Sequence, residues 1–191
     1  MQIPMEQMDE LRRPEASTRL MYRIVCWASG ITIVATFLYG LATSALFSSG
    51  GVLDIGQTLV NVDFPIPYFA KPVTYLSIAC VTFFYTGLRL WQNKVAQWSH
   101  LKLASLQLFA IVVTFASAYE VMYNFMLWGS YFSLQLFHDL SPNPNFLSSP
   151  GPIPWNLVFA TKMFLALSAI SGYSVYFLRR VHEVRGLSDV L

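Results

Sequence analysis

The chain has 191 residues, of which 55% are hydrophobic and only 12% charged, and its net charge is +2. A soluble domain carries about a quarter charged residues, so this composition argues against a soluble enzyme, and the small net charge argues against nucleic acid as a partner. The aromatic share is 16%, with 15 Phe, 10 Tyr and 5 Trp. The apolar residues fall into long uninterrupted blocks, the pattern of lipid-facing helices rather than of amphipathic surface helices.

In chain order, residues 1–22 read as a polar N-terminal segment. Within it, Met5 to Arg13 has the length and charge of a short interfacial helix ended by Pro14. Four spans follow in a single membrane domain covering 23–191. The first block, 24–47, contains no charge, follows Arg19 and Arg23, and closes in Ser48-Ser49-Gly50-Gly51. It is longer than the core of a cleaved signal peptide and is preceded by acidic residues, which favours a retained helix. The second, 72–91, is bounded by Lys71 and holds Arg89 near its end; the third, 103–128 with an apolar run that can extend to Phe137, follows Lys102 and contains Glu120. The fourth, 155–178, stops at Arg179-Arg180 and contains Lys162. About 20 residues span the hydrocarbon, so each block suffices, the second with its flanks. The expected fold is all-α, a polytopic four-transmembrane-helix bundle.

Basic residues fix the expected orientation. Arg12, Arg13, Arg19 and Arg23 precede the first span, Arg89, Lys94 and Lys102 surround the middle loop, and Arg179, Arg180 and Arg185 follow the last span. The two other loops hold one basic residue, Lys71. The positive-inside rule then puts both termini and the middle loop in the cytoplasm, at the cell membrane. The outer loops are expected to be irregular and rich in Pro and Gly. The first, 48–71, carries Gly50-Gly51, Pro65 and Pro67 among exposed apolar residues that need cover. The second, 138–154, has Pro142, Pro144, Pro150, Pro152 and Pro154, too many for a helix or a central strand, and reads as a rigid extended cap. No internal repeat supports an inverted-repeat transporter.

Charges inside the spans carry most of the functional information, because each costs about 2.5–3.5 kcal/mol near the bilayer centre. Glu120 lies eight residues before Trp128, roughly 12 Å below the outer interface, and Lys162 lies seven after Trp155, roughly 10 Å below it. The two helices are antiparallel neighbours in sequence, so an ion pair is the simplest expectation. The alternatives are a functional Glu120, facing a partner subunit, a metal or a proton path, and a Lys162 that snorkels outward. Gln107, Thr114, Ser117 and Asn124 recur at seven, three and seven as a polar stripe, either a helix seam or a narrow conduit. On the fourth span Lys162, Ala166, Ala169, Tyr173 and Tyr176 share a face, while Gly40, Ser44, Ser168 and Gly172 permit close helix approach.

No span contains a histidine: His100 and His182 lie on the cytoplasmic side and His138 on the outer side. A bis-histidine haem, or a copper or di-iron centre built from histidines of this chain, is therefore not expected in the membrane. His138 and Asp139, with Asp54 and Asp63 of the other outer loop, are weak candidates for a metal site, and no cofactor is expected. Cys26 and Cys80 sit at different depths and form no CxxC pair, so neither a disulfide nor dithiol chemistry is expected. No nucleotide loop, catalytic triad order or zinc motif is present.

The stretches Glu120-Val-Met-Tyr-Asn-Phe-Met-Leu-Trp-Gly129 and Trp155-Asn-Leu-Val-Phe-Ala-Thr-Lys162 resemble small four-helix membrane proteins of ammonia-oxidising archaea, some of them accessory subunits of the archaeal ammonia monooxygenase. The resemblance covers about the last 80 residues and includes no established motif. It implies no catalytic residues here, because the metal ligands of that enzyme family belong to other subunits. The expected function is thus a non-catalytic accessory or structural subunit of a multi-subunit membrane complex, with other membrane subunits and the bilayer as partners. The alternative is a small homo-oligomeric transporter or channel with Glu120 and Lys162 in a polar path.

Overall fold

The computed structural model describes residues 16–47, 55–62, 70–140 and 154–188. These form five helices: α1 (Ala16–Phe47), α2 (Ile55–Asn61), α3 (Pro72–Val95), α4 (His100–Leu140) and α5 (Trp155–Ser188). No strand occurs among the described residues. α1, α3, α4 and α5 are each long and apolar enough to cross a membrane, so the protein is an all-helical, multi-pass membrane protein. Between 11% and 22% of each span is buried within the chain, which leaves most of its apolar surface for lipid or another protein to cover.

Local chemistry sets several helix ends. Lys71 is extended at φ −77°, ψ 152°, and Pro72 at the first helical position starts α3 where its missing N–H is not needed. After Val95 the chain turns through Ala96 to Ser99. Ser99 Oγ accepts the Lys102 amide at 3.4 Å and its carbonyl accepts the Leu103 amide at 3.1 Å, opening α4. Pro154 stands just before α5, and its carbonyl accepts the Leu157 amide at 3.1 Å.

The long helices form an open row in the order α1, α3, α5, α4. α1 packs on α3, α3 on α5 and α5 on α4, while α2 lies across α1, α3 and α5. Two small apolar cores close the two ends. At one end Val95, Leu103, Phe177, Leu178 and Val181 join α3, α4 and α5. At the other, Leu59, Val60, Val73 and Leu76 pack beneath Trp155, Val158 and Phe159. The first end gathers the basic positions Arg89, Lys94, Lys102, Arg179 and Arg180, whereas Lys71 belongs to the second.

Four elements differ from the sequence expectation. The first outer loop is not irregular throughout, because Ile55–Asn61 is helical. Its Leu59 and Val60 are buried over the gap between the long helices. Glycines make this approach possible: a Cβ on Gly40 would stand 3.0 Å from Ile55 Cγ2 and Leu59 Cδ2, and one on Gly56 would stand 2.6 Å from Trp155 Cζ3. The helix that carries the third span continues past Trp128, and past Phe137, to Leu140, with no proline before Pro142. The other helices also outrun their apolar blocks, α1 beginning at Ala16 and α5 continuing to Ser188. Most of the proline-rich 138–154 segment, like Met5 to Arg13, lies outside the described residues.

The glycine contacts predict opposite outcomes at two sites. Gly56→Ala pushes Trp155 off α2 and costs about 1–3 kcal/mol, lowering the melting temperature of the detergent-solubilised protein. Gly87→Ala, where nothing lies within 4 Å, stabilises α3 by about 0.5–1 kcal/mol and raises it.

Candidate functional site

α4 meets α5 along one stripe. Its buried residues Leu103, Ala110, Ser117 and Asn124 recur every seven positions, with Gln107, Thr114, Val121 and Trp128 half-buried between and beyond them. This is the 4–3 spacing of left-handed antiparallel helix packing. The four polar-stripe residues Gln107, Thr114, Ser117 and Asn124 all belong to it. On the α5 side, a Cβ on Gly172 would lie 3.9 Å from Thr114 Cγ2, and Trp128 Nε1 donates to Thr161 Oγ1 at 3.3 Å.

The hydroxyls along the helices are satisfied at home. Thr114 Oγ1 donates to the Ala110 carbonyl at 2.7 Å, Ser117 Oγ to Val113 at 2.7 Å, and Ser171 and Ser174 to Leu167 and Ile170 at 2.7 Å each. Ser29, Ser77, Thr82 and Thr86 repeat the same i−4 bond on α1 and α3. Such bonds remove the need for a partner across the seam. Asn124 differs, for its Nδ2 is buried with no acceptor among the described residues.

Glu120 and Lys162 do not form the expected ion pair. The Lys162 ammonium instead donates to Thr74 Oγ1 at 2.6 Å, in the first turn of α3. α5 packs against α3 and α4, and Lys162 reaches toward α3 while Glu120 belongs to α4. Similar depth along two helices therefore did not bring the charges together. Lys162 thus points toward the end of the row where Lys71 Nζ donates to the Asn61 carbonyl at 3.1 Å. Glu120 is half-buried on the flank of the α4 seam and makes no ion pair or hydrogen bond among the described residues.

The outer metal candidates are not assembled by the described residues. His138 and Asp139 occupy the last turn of α4, with His138 Nδ1 3.3 Å from Asp139 Oδ1, while Asp54 and Asp63 lie outside the described residues. No group of three or more His, Cys, Asp or Glu able to hold a metal occurs among the described residues. Cys26 and Cys80 are both free thiols.

The structure also assembles a cluster that the sequence reading left dispersed. Tyr85 stacks near Tyr173 with centroids 4.7 Å apart, Tyr22 lies 6.3 Å from Tyr85, and Arg89 Cζ stands 5.6 Å above the Tyr85 ring. Arg180 Nη1 donates to Tyr176 Oη at 3.4 Å, and the His100 and His182 rings approach to 5.2 Å nearby. The sequence signal was the repeated Tyr–Arg spacing of four, at Tyr85/Arg89 and Tyr176/Arg180, which sets ring and guanidinium on one helix face.

No protein-family model matches the chain, and neither curated proteins nor solved structures give a significant match.

The contacts of the two charges predict a clear split in double-mutant cycles read by unfolding in detergent. Thr74→Val and Lys162→Met are coupled by about 1 kcal/mol, because a charged hydrogen bond joins them. Glu120→Gln and Lys162→Met are additive within about 0.5 kcal/mol.

Proposed function

We propose that this protein is a non-catalytic accessory subunit of a multi-subunit integral membrane complex, with α4 as its docking helix. The observation that carries this reading is the length of uncovered apolar surface on α4. From Leu103 to Phe137 its only charge is Glu120, and this stretch is about 52 Å long at 1.5 Å per residue. The hydrocarbon core is about 30 Å thick, and even a 40° tilt accommodates only about 39 Å of helix. Roughly 13 Å of apolar helix is left over. Beyond Trp128 the exposed large apolar side chains are Phe132, Leu134, Leu136, Phe137 and Leu140, interleaved with exposed Ser130, Ser133 and Gln135. That many large apolar side chains are not left bare in water, so a protein neighbour is the expected cover.

Glu120 supports the same reading, since it stands at the midpoint of this stretch with no partner among the described residues. A neighbouring subunit that offers a donor or a cation to Glu120 lowers the cost of placing it there. The likeness of 120–129 and 155–162 to small archaeal membrane proteins makes an archaeal membrane monooxygenase the first complex to examine. In the orientation we propose, the basic end of the helix row and both termini face the cytoplasm, following the excess of Arg and Lys at that end.

Native electrophoresis after mild solubilisation from the source membrane tests the subunit reading. The expected result is co-migration with different polypeptides, and the triple variant Phe132→Ser/Leu136→Ser/Phe137→Ser releases the chain while leaving its helix content unchanged. Recovery as a lone monomer in every mild detergent would contradict it. Recovery as a homo-oligomer whose ion flux in liposomes disappears in Glu120→Gln would favour the transporter alternative.

A further inference from the structure

The tyrosine–arginine cluster at the basic end of α3 and α5 has the chemistry of a site for an anionic headgroup. Arg89 and Gln92 of α3 face Tyr173, Tyr176 and Arg180 of α5 around a small open cavity of about 20 Å³. That volume admits one oxygen-sized group, a water or a single phosphoryl oxygen, while the opening leaves the rest of a larger anion outside. Two guanidiniums line this cavity and no carboxylate does.

Two polar atoms in the cluster lack partners. Arg89 Nε and Tyr173 Oη are both buried and neither atom has a hydrogen bond of good geometry among the described residues, although the Arg89 guanidinium lies within reach of the Tyr85 and Tyr173 hydroxyls. A buried guanidinium N–H without an acceptor is costly, more so beside apolar rings than in water. The face of Tyr85 partly compensates the Arg89 charge as a cation–π contact, but a ring face does not accept from Nε as an oxygen does. Arginine binds phosphate through paired N–H donors, and the tyrosine hydroxyl can supply another donor to the same oxygen. The site also sits at the right depth. Arg89 lies six residues before the end of α3, and Arg180 follows the last apolar stretch of α5, so both guanidiniums fall at headgroup level.

We infer that Arg89 and Arg180, with Tyr173 and Gln92, form a specific site for the phosphate of an anionic phospholipid at the basic end of the α3–α5 pair. The site is independent of any partner subunit and needs only that α3 and α5 cross the bilayer. Bound lipid tethers the α3 and α5 ends through one shared oxygen.

The test uses the full chain reconstituted in phosphatidylcholine nanodiscs, with and without phosphatidylglycerol, and native mass spectrometry to count retained lipid. Wild type is expected to retain phosphatidylglycerol, and Arg89→Gln and Arg180→Gln each weaken retention about tenfold, the loss of one charge-assisted hydrogen bond. Arg89→Lys keeps the charge but loses the fork and is weakened as well. Lys94→Gln removes an exposed charge of the same rim and leaves retention within about twofold. Tyr173→Phe, which keeps the ring and hence the packing, supplies a reading should the arginine variants fail to fold, and its expected effect is a loss of about fivefold. Equal losses in Lys94→Gln and Arg89→Gln would overturn the site in favour of diffuse surface charge, as would full retention in Tyr173→Phe together with Arg180→Gln. Inorganic phosphate separates the sources: competition at millimolar concentration assigns the pocket to soluble phosphates, and lack of competition assigns it to lipid.

Discussion

Along α4 one stripe finds a protein neighbour within the chain, and the rest of the structure is arranged around that constraint. Leu103, Ala110, Ser117 and Asn124 turn inward to α5, while Phe109, Val112, Phe115, Met122 and Met126 point away from the row. The helices therefore do not close around a shared interior. Their apolar contacts concentrate in two end cores, and the middle of the row is held by close approach of small side chains. In hydrocarbon there is no hydrophobic drive to pull helices together, so this style of packing is stable only where backbones come near. Gly30, where a Cβ would stand 3.3 Å from the Phe83 ring, is one position that permits it.

Polar groups in this protein divide into those that are self-sufficient and those that are not. The hydroxyls bonded to the carbonyl one turn earlier add nothing across the seams and constrain the helices little. Asn124, Glu120, Arg89 and Tyr173 are different, because each carries polar atoms that the described residues leave without a hydrogen bond or ion pair. They lie on three neighbouring helices, Glu120 and Asn124 midway along α4 and Arg89 and Tyr173 toward the basic end of α3 and α5. Lipid chains cannot satisfy any of them, whereas a headgroup or a neighbouring helix can. That distribution connects the proposed docking role of α4 with the proposed headgroup site.

The four long helices were legible from block length and flanking charges alone, since both follow from bilayer thickness. Their ends were less so. Trp128 marked an expected interface, but a helix continues until something breaks it, and no proline intervenes before Pro142. The short helix α2 was hidden because seven residues give little periodic signal and its buried face exists only once Gly40, Gly56 and Trp155 are assembled. The supposed Glu120–Lys162 pair shows a different limit. Spacing from tryptophans gives depth, but pairing also needs the two side chains on facing sides of their helices. The polar stripe of α4 was readable since heptad spacing contains that angular information. The Tyr–Arg cluster was half readable: each i, i+4 pair is in the sequence, but their meeting across α3 and α5 is not.

The central claim is that the flank of α4 carrying Glu120 is covered by another protein. A photo-activatable side chain at Ala116, exposed one turn before Glu120, tests this most directly in intact membranes. The account predicts a discrete crosslinked product containing a second, different polypeptide, and a weaker product when the same probe replaces Ile31 on the outward face of α1. Crosslinks to lipid alone at Ala116, with no protein adduct, would contradict it.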